Sequence, residues 1–493
     1  MGLREAIKSE AQWKETENGA VALNTSGHAC VDFFGLAGSM RERTAIDKCT
    51  LFDAAYAEDG DIAMKVLFYT RDPRGGYGEK LTFQQIFTHL ANVHTESVVK
   101  NLWAVLEFGR AKDLYYLVGT LAEDEMWKFM KEQFELDYEN MKAGKSISLL
   151  AKWIATPDSK SEKTKELGKL TAKKLGYTFK TMSDYKRKLR EMRKYLDLPE
   201  AKMCAGHWDE IEYSKCASRF MLKNRKAFMK HDAERYQEFV GKVNKGEAKM
   251  NMNTVNPCEI LKDLIYGGSD DASSDAQWKS LPDYVDGNVL VMADTSGSMT
   301  WHATNGLYPI TVALSLAMYT AERNKGDLKN LFMTFDSNPQ FVELKGDTLR
   351  QRYKLAQQAD WGGSTNLEAA FDLLLKTCVR GHVAQDEMPK AIIIVSDMEI
   401  NCVRGVDRQN RMTFYDAMAQ RYEQAGYKMP QVVFWNVNGR NNTFHASSTT
   451  AGVALCSGWS VNVLKDLMNS IGVTPYEMMM NAIGNEKYAD IIA

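Results

Sequence analysis

Residues 288–298 read NVLVMADTSGS, and residues 391–397 read AIIIVSD. Each is a short apolar run that ends on an aspartate. Such a run bounded by polar residues describes a strand buried on both faces, the kind found in parallel sheets covered by helices. The same grammar recurs in LFMTFDS (331–337) and QVVFWNV (431–437). Between the first strand and LFMTFDS lies LYPITVALSLAMYTAER (307–323), which has the length and apolar content of a helix. Short buried strands alternating with helices predict an α/β doubly wound, Rossmann-like domain over 288–493. In an open sheet of this kind, ligands gather at the carboxyl ends of the strands, where the strand order reverses.

Those strand ends carry oxygen. The first strand runs into Asp294, Ser296 and Ser298, the loop WGGSTN (361–366) offers Thr365, and AIIIVS ends on Asp397. Two carboxylates and three hydroxyls suit a hard divalent cation, Mg²⁺ or Mn²⁺, which takes six oxygen ligands and usually keeps some water. These five residues supply five of the six ligands and no negative charge beyond the two that balance the ion. A spare coordination position then attracts an acidic group from a protein partner. Gly297 and Gly363 let the backbone turn tightly there.

The order DxSxS, distant Thr, distant Asp resembles the metal-ion-dependent adhesion site (MIDAS) of von Willebrand A domains. The resemblance implies Ser296 and Ser298 as direct ligands and Thr365 as direct or water-mediated. It implies that Asp294 and Asp397 act mostly through water. Trp301, His302 and Trp361 flank the loops. They read either as a rim that contacts the partner or as loop packing. Enzymatic readings fare worse. A haloacid-type phosphatase needs a second aspartate where Ser296 stands, and Glu399 alone adds too little for a two-metal nuclease. Gly144-Lys145-Ser146 lacks the opening glycine of a phosphate loop, since Glu139 occupies that position. A non-enzymatic protein is expected, with a metal-dependent phosphoesterase as the distant alternative.

Upstream the pattern is helical. In LTFQQIFTHLA (81–91), Leu81, Phe83, Ile86, Phe87 and Leu90 recur three or four apart. Residues 1–45 read as an irregular arm with at most one helix, 46–266 as an all-α helical-repeat region, and GGSDDASSDAQ, at the start of 267–287, as a linker. FYTRDPRGGYGEK and LEFGRAKDLYYL resemble the helical module of Ro autoantigen-like (TROVE-type) proteins. There a ring or horseshoe of helices is joined to a C-terminal von Willebrand A domain. The segments KLREMRKYLDLPEAKMCAGHWDEIEYSKCASRFMLKNRKAF and VALCSGWSVNVLKDLM are closest to an uncharacterised relative of that family. The resemblance implies an RNA-binding ribonucleoprotein scaffold for small structured RNA. It identifies no individual RNA contact.

Charge is uneven. Residues 151–250 hold 25 Lys+Arg against 14 Asp+Glu, although the whole chain carries a net charge of −2. Lys186, Arg187, Lys188, Arg190, Arg193 and Lys194 lie opposite the apolar stripe of Tyr185, Leu189, Met192 and Leu196. A helix anchored on one face and basic on the other can track phosphates. It can equally be a solvated face. The loop bearing Arg71, Arg74 and Lys80 is open in the same way. It reads as a phosphate cradle, or as a turn with Asp72 and Glu79 as partners. If no nucleic acid binds, the chain reads as a protein-assembly module. None of the eight cysteines forms a CxxC pair, no signal-like apolar run follows the N-terminus, and no apolar stretch of membrane-spanning length exists. A reduced, cytoplasmic protein without membrane contact is expected.

Overall fold

The computed structural model describes residues 11–301, 303–304, 306–358, 363–404, 406 and 412–493. Its C-terminal part is a six-stranded sheet in the order β5-β4-β3-β6-β7-β8. The strands are β3 (Val289–Asp294), β4 (Leu331–Phe335), β5 (Gln340–Glu343), β6 (Ala391–Ser396), β7 (Gln431–Asn436) and β8 (Val453–Ser457). All neighbours are parallel except β5, which returns antiparallel to β4 at the edge. β3, β6, β7 and β8 are buried along their whole length. That explains why their sequences are continuous apolar runs rather than alternating ones. The order reverses between β3 and β6, so the carboxyl ends of these two strands open one crevice.

The expected all-α region is present, from helix Ala29–Ala37 to helix Pro257–Ile265. The arm expected over 1–45 is corrected by its described part. β1 (Trp13–Glu15) and β2 (Val21–Leu23) form an antiparallel hairpin, and Ala29–Ala37 is a helix buried along nearly its whole length. The hairpin pairs outward as well: Leu23 N donates to Phe444 O (2.8 Å) and Phe444 N to Leu23 O (3.0 Å). Helix Ala29–Ala37 lies against β8, and Gly38 N donates to Ser457 Oγ at 2.9 Å. These pairings join residues about four hundred positions apart, so no local periodicity announces them.

The linker expected at 267–287 is also corrected. Asp271–Lys279 is a helix, capped by the Asp270 side chain accepting from Ser273 N at 2.8 Å. Trp278 is buried and donates through Nε1 to Glu322 (2.7 Å). A polar composition suited to a linker here serves a helix cap and an interface, because Asp and Ser are also the favoured N-cap residues.

Candidate metal centre

β3 and β6 lie side by side in parallel register, Ala293 opposite Val395. This alone brings Asp294 and Asp397 to the same end of the sheet. Asp294 Oδ1 accepts from Ser296 N at 2.9 Å and Oδ2 from Ser396 Oγ at 2.6 Å, which fixes the carboxylate. The turn that follows sets the Ser296 and Ser298 hydroxyls 3.2 Å apart. The Ser298 hydroxyl also favours the ionised form of the Asp397 carboxylate. Thr365 sits immediately before helix Leu367–Gly381, which is capped by Asn366 accepting from Ala369 N. The threonine is tied to the segment after Asp397: its N donates to Asn401 Oδ1 (3.2 Å) and its carbonyl accepts from Asn401 N (3.0 Å). Asp294, Ser296, Ser298 and Asp397 are thus gathered at the β3–β6 crevice, and Thr365 is tied through Asn401 to the segment that follows Asp397.

The electrostatics of the group are uneven. Asp294 and Asp397 are both buried. Burial pushes both carboxyls up, and the Asp397 charge raises Asp294 further. Arg440 opposes this at Asp397, where its Nη2 stands 2.9 Å from Oδ2. Two adjacent buried acids facing three hydroxyls form a donor set that fits a hard divalent cation. One of the two negative charges is already balanced by an arginine.

The sequence reading missed Ser396, Arg440, Asp336, Asn18 and the full role of Glu399. Asp336 follows β4 in the run that closes LFMTFDS, and it accepts from Thr295 Oγ1 at 3.3 Å. The strand-end rule that found Asp294 would have found it. Arg440 and Asn18 had no such signal. Met398 adopts a left-handed backbone (φ 68°), and the buried His445 holds its carbonyl through Nε2 at 3.0 Å. The hairpin turn reaches the rim: Glu17 N donates to Glu399 Oε2 (2.7 Å), Asn18 Nδ2 to Thr365 Oγ1 (3.5 Å), and Glu17 pairs with Arg440 (3.2 Å). Glu399 is fully committed, accepting from Thr443 Oγ1 (2.9 Å) and Asn441 Nδ2 (3.2 Å) besides Glu17.

Among the rim residues, Trp301 is 67% exposed at the end of the serine turn. Trp361 and His302 lie outside the described residues.

The basic residues are dispersed. Lys186 pairs with Asp158 (2.6 Å), Arg187 with Asp184 (2.5 Å) and Glu191 (3.0 Å), and Lys188 with Glu135 (2.8 Å). Arg193 is turned inward and donates to the carbonyls of Ala151 (2.8 Å) and Ile154 (3.2 Å). The idea of six phosphate-facing cations on one helix is therefore corrected. Arg190 and Lys194 alone remain exposed without a partner among the described residues. Arg71 is corrected too: it is buried on Asp113 (2.8 Å), and its expected neighbours are taken elsewhere, Asp72 by Lys487 and Glu79 by Arg41. Arg74 stays exposed, its Nη2 on the Glu107 carbonyl.

The family model described as "Domain of unknown function (DUF2828)" matches residues 16–146 and 128–288, more than half of the chain. The chain belongs to the DUF2828 family. A second model, "Domain of unknown function (DUF7788)", matches residues 288–489 of this DUF2828 protein and so takes in the sheet and its crevice. The chain is 28% identical to the uncharacterized protein L728 of Acanthamoeba polyphaga mimivirus, over 95% of its own length and 86% of that protein. Among solved structures it is similar to the Ro (RSR) protein of Deinococcus radiodurans, with 14% identity and a TM-score of 0.41, over 93% of this chain and all of that one. At that score the likeness assigns nothing further to the DUF2828 chain. No helix among the described residues is long and apolar enough to cross a membrane.

Proposed function

We propose that this DUF2828 protein is a non-enzymatic RNA-binding scaffold. In this reading a Ro-like helical body is joined to a von Willebrand A-type domain that engages a protein partner through Mg²⁺ or Mn²⁺. The observation that supports the metal half is the gathering of Asp294, Ser296, Ser298 and Asp397 at the β3–β6 crevice, with Thr365 tied to the segment that follows Asp397. Bound there, a divalent cation supplies a positive centre with an open position for a carboxylate oxygen. The chain's own residues do the rest. Ser396 and Ser296 N orient Asp294, Arg440 holds Asp397, and Trp301 offers exposed apolar surface beside the opening. Calorimetric titration of Mn²⁺ into wild type and Asp294→Ala tests this. The variant should bind about 10–100-fold more weakly, with an unchanged circular dichroism spectrum because the substitution removes a side chain at a strand end and leaves the strand pairing in place. Equal affinity in the two overturns the assignment.

The RNA half rests on the sequence resemblance and on the surplus of positive charge over 151–250. Its test is filter binding over a salt series with wild type and Arg190→Ala/Lys194→Ala. If these two exposed cations meet phosphates, the salt slope should fall in magnitude by about 1.4–1.8, at 0.7–0.9 per contact. Unrelated RNA sequences should be affected alike. One observation favours the second reading, a metal-dependent assembly module without nucleic acid: Lys186, Arg187 and Lys188 already have carboxylate partners within the protein. Wild type with no affinity tighter than about 10⁻⁴ M for any RNA decides for that reading.

A further inference from the structure

A set of lysines lies away from the metal centre, in a cleft of about 580 Å³ between the helical body and the α/β domain. Two helices supply its floor. On Ser218–His231, the residues Arg219, Lys223 and Lys226 fall at i, i+4 and i+7 and share one face. On Pro257–Ile265 and its C-cap, Glu259, Lys262, Asp263 and Tyr266 repeat that spacing. Arg41 and the Gly78–Lys80 segment wall one side, and Leu307 and Trp459 come from the α/β domain. Thr304 Oγ1 donates to Glu42 at 2.6 Å, so Thr304 is held across from the first helices.

The lining holds seven cationic side chains and three carboxylates. Each carboxylate is committed to one arginine: Glu79 to Arg41, Glu259 to Arg219 (2.6 Å) and Asp263 to Arg225 (3.0 Å). The other four cationic side chains of the lining are lysines. Lys80, Lys223 and Lys226 are exposed and have no anionic partner among the described residues, and Lys262 lines the same space. A concave wall concentrates the field of such a set and raises the local concentration of anions. Lysine ammonium groups on flexible stems suit phosphate oxygens as point charges. The ring of Tyr266, 62% exposed at the end of its helix, adds a flat apolar surface beside those charges. The volume lies within the roughly 300–1,000 Å³ of small-ligand sites.

We propose that this cleft binds a nucleoside phosphate: Lys80, Lys223 and Lys226 take the phosphate oxygens and Tyr266 stacks on the base. The chemistry has two possible sources, a free nucleotide or the phosphorylated terminal nucleotide of an RNA. The site goes beyond the metal reading and does not depend on it.

The test is calorimetry on the full chain in EDTA, so that failure of the metal site cannot affect the outcome. The probes are ADP, pyrophosphate, adenosine and a short oligoribonucleotide with and without a 5′-phosphate. ADP and pyrophosphate should bind, and adenosine at least about tenfold more weakly than ADP, as expected when each charge-assisted contact is worth about 1.5–3 kcal/mol. Lys223→Glu/Lys226→Glu should lower affinity for both phosphates by about tenfold or more. Tyr266→Ala should weaken ADP by about 5–100-fold, the range for loss of one stacked base, and leave pyrophosphate nearly unchanged. Tighter binding of the phosphorylated oligonucleotide than of ADP identifies an RNA end as the source, and the reverse identifies a free nucleotide. Absence of heat with both ADP and pyrophosphate at millimolar concentration overturns the proposal. So does a double variant that folds and binds as wild type does.

Discussion

Arg440 stands where a bound cation would have to compete with an arginine for one carboxylate. Its guanidinium lies 2.9 Å from Asp397 and 3.2 Å from Glu17, within reach of two acids at once. Two unit charges a few ångströms apart near a protein surface interact by about 4 kcal/mol at an effective dielectric of 20, and water and relaxation leave a fraction of that. Arg440→Gln should therefore bind Mn²⁺ about tenfold more tightly than wild type, as read by calorimetry at low salt. The gain should shrink at high salt as screening sets in. An unchanged affinity would mean that the arginine does not oppose the ion. Legibility at this scale follows distance along the chain. Asp294, Ser296 and Ser298 could be read because one turn sets their spacing. Asp397 and Thr365 could be read because each adjoins a recognisable strand or helix. Arg440 and Asn18 are brought in by tertiary packing, from a loop and from a hairpin turn that look like any other exposed polar segment.

Helices and strands were easiest to read where burial is complete. β3, β4, β6 and β7 were visible as apolar runs, whereas the five-residue β8 passes into GWSVNVLKDLM without a turn signal and β5 is an edge strand of four residues. The basic helix Met182–Tyr195 shows the limit of a charge pattern. Its apolar stripe is buried as its periodicity requires, with Tyr185, Leu189 and Met192 inside. Its cations, however, meet acids supplied by other elements, Asp158 and Glu135, which periodicity cannot see. Helix Ala29–Ala37 offers a direct test of element packing. A Cβ on Gly38 would stand 2.7 Å from the Ser457 carbonyl, which is backbone of the β8 strand and cannot rotate away. Gly38→Ala should cost about 1–3 kcal/mol, the usual range for overpacking, measured as a lowered urea midpoint at unchanged m-value. A neutral substitution would show that the helix does not seat on the sheet as described.

Across the whole molecule, the two parts expected from sequence are interlocked rather than strung on a linker. The β1–β2 hairpin is stitched to the α/β domain, and the last helices return to the helical body. Lys487 and Tyr488 meet Asp72 (2.7 and 3.0 Å), and Tyr69 donates to Asp466 (2.6 Å). Asp466 reports on this junction. Burial pushes its carboxyl from the ordinary 3.8 up to about 6, against the Tyr69 hydrogen bond. A folded value above the unfolded one means that this group's stabilising contribution is complete below about pH 4 and is lost as pH rises through about 6. A shift of about two units corresponds to at most about 3 kcal/mol. Partial solvent access makes 1–2 kcal/mol the better expectation. Asp466→Asn, which still offers Tyr69 an acceptor, should therefore raise the melting temperature at pH 7.5 and change it little at pH 4.5. A gain of equal size at both pH values would detach the effect from titration.

The hairpin also sets the timing of biosynthesis. Glu17 precedes its partner Glu399 by 382 residues. At translation rates of about 5–20 residues per second, the hairpin waits roughly 20–80 s for a surface to pair with. Helix Ala29–Ala37 waits longer still for β8, with Phe33 and Phe34 unshielded meanwhile unless the neighbouring helices already cover them. A ribosome that stalls anywhere before residue 444 leaves a chain whose hairpin edge is open to strands of its neighbours. Polysome-bound nascent chains of this protein should accordingly lean on holding chaperones until the codons for Phe444 and β8 have been read.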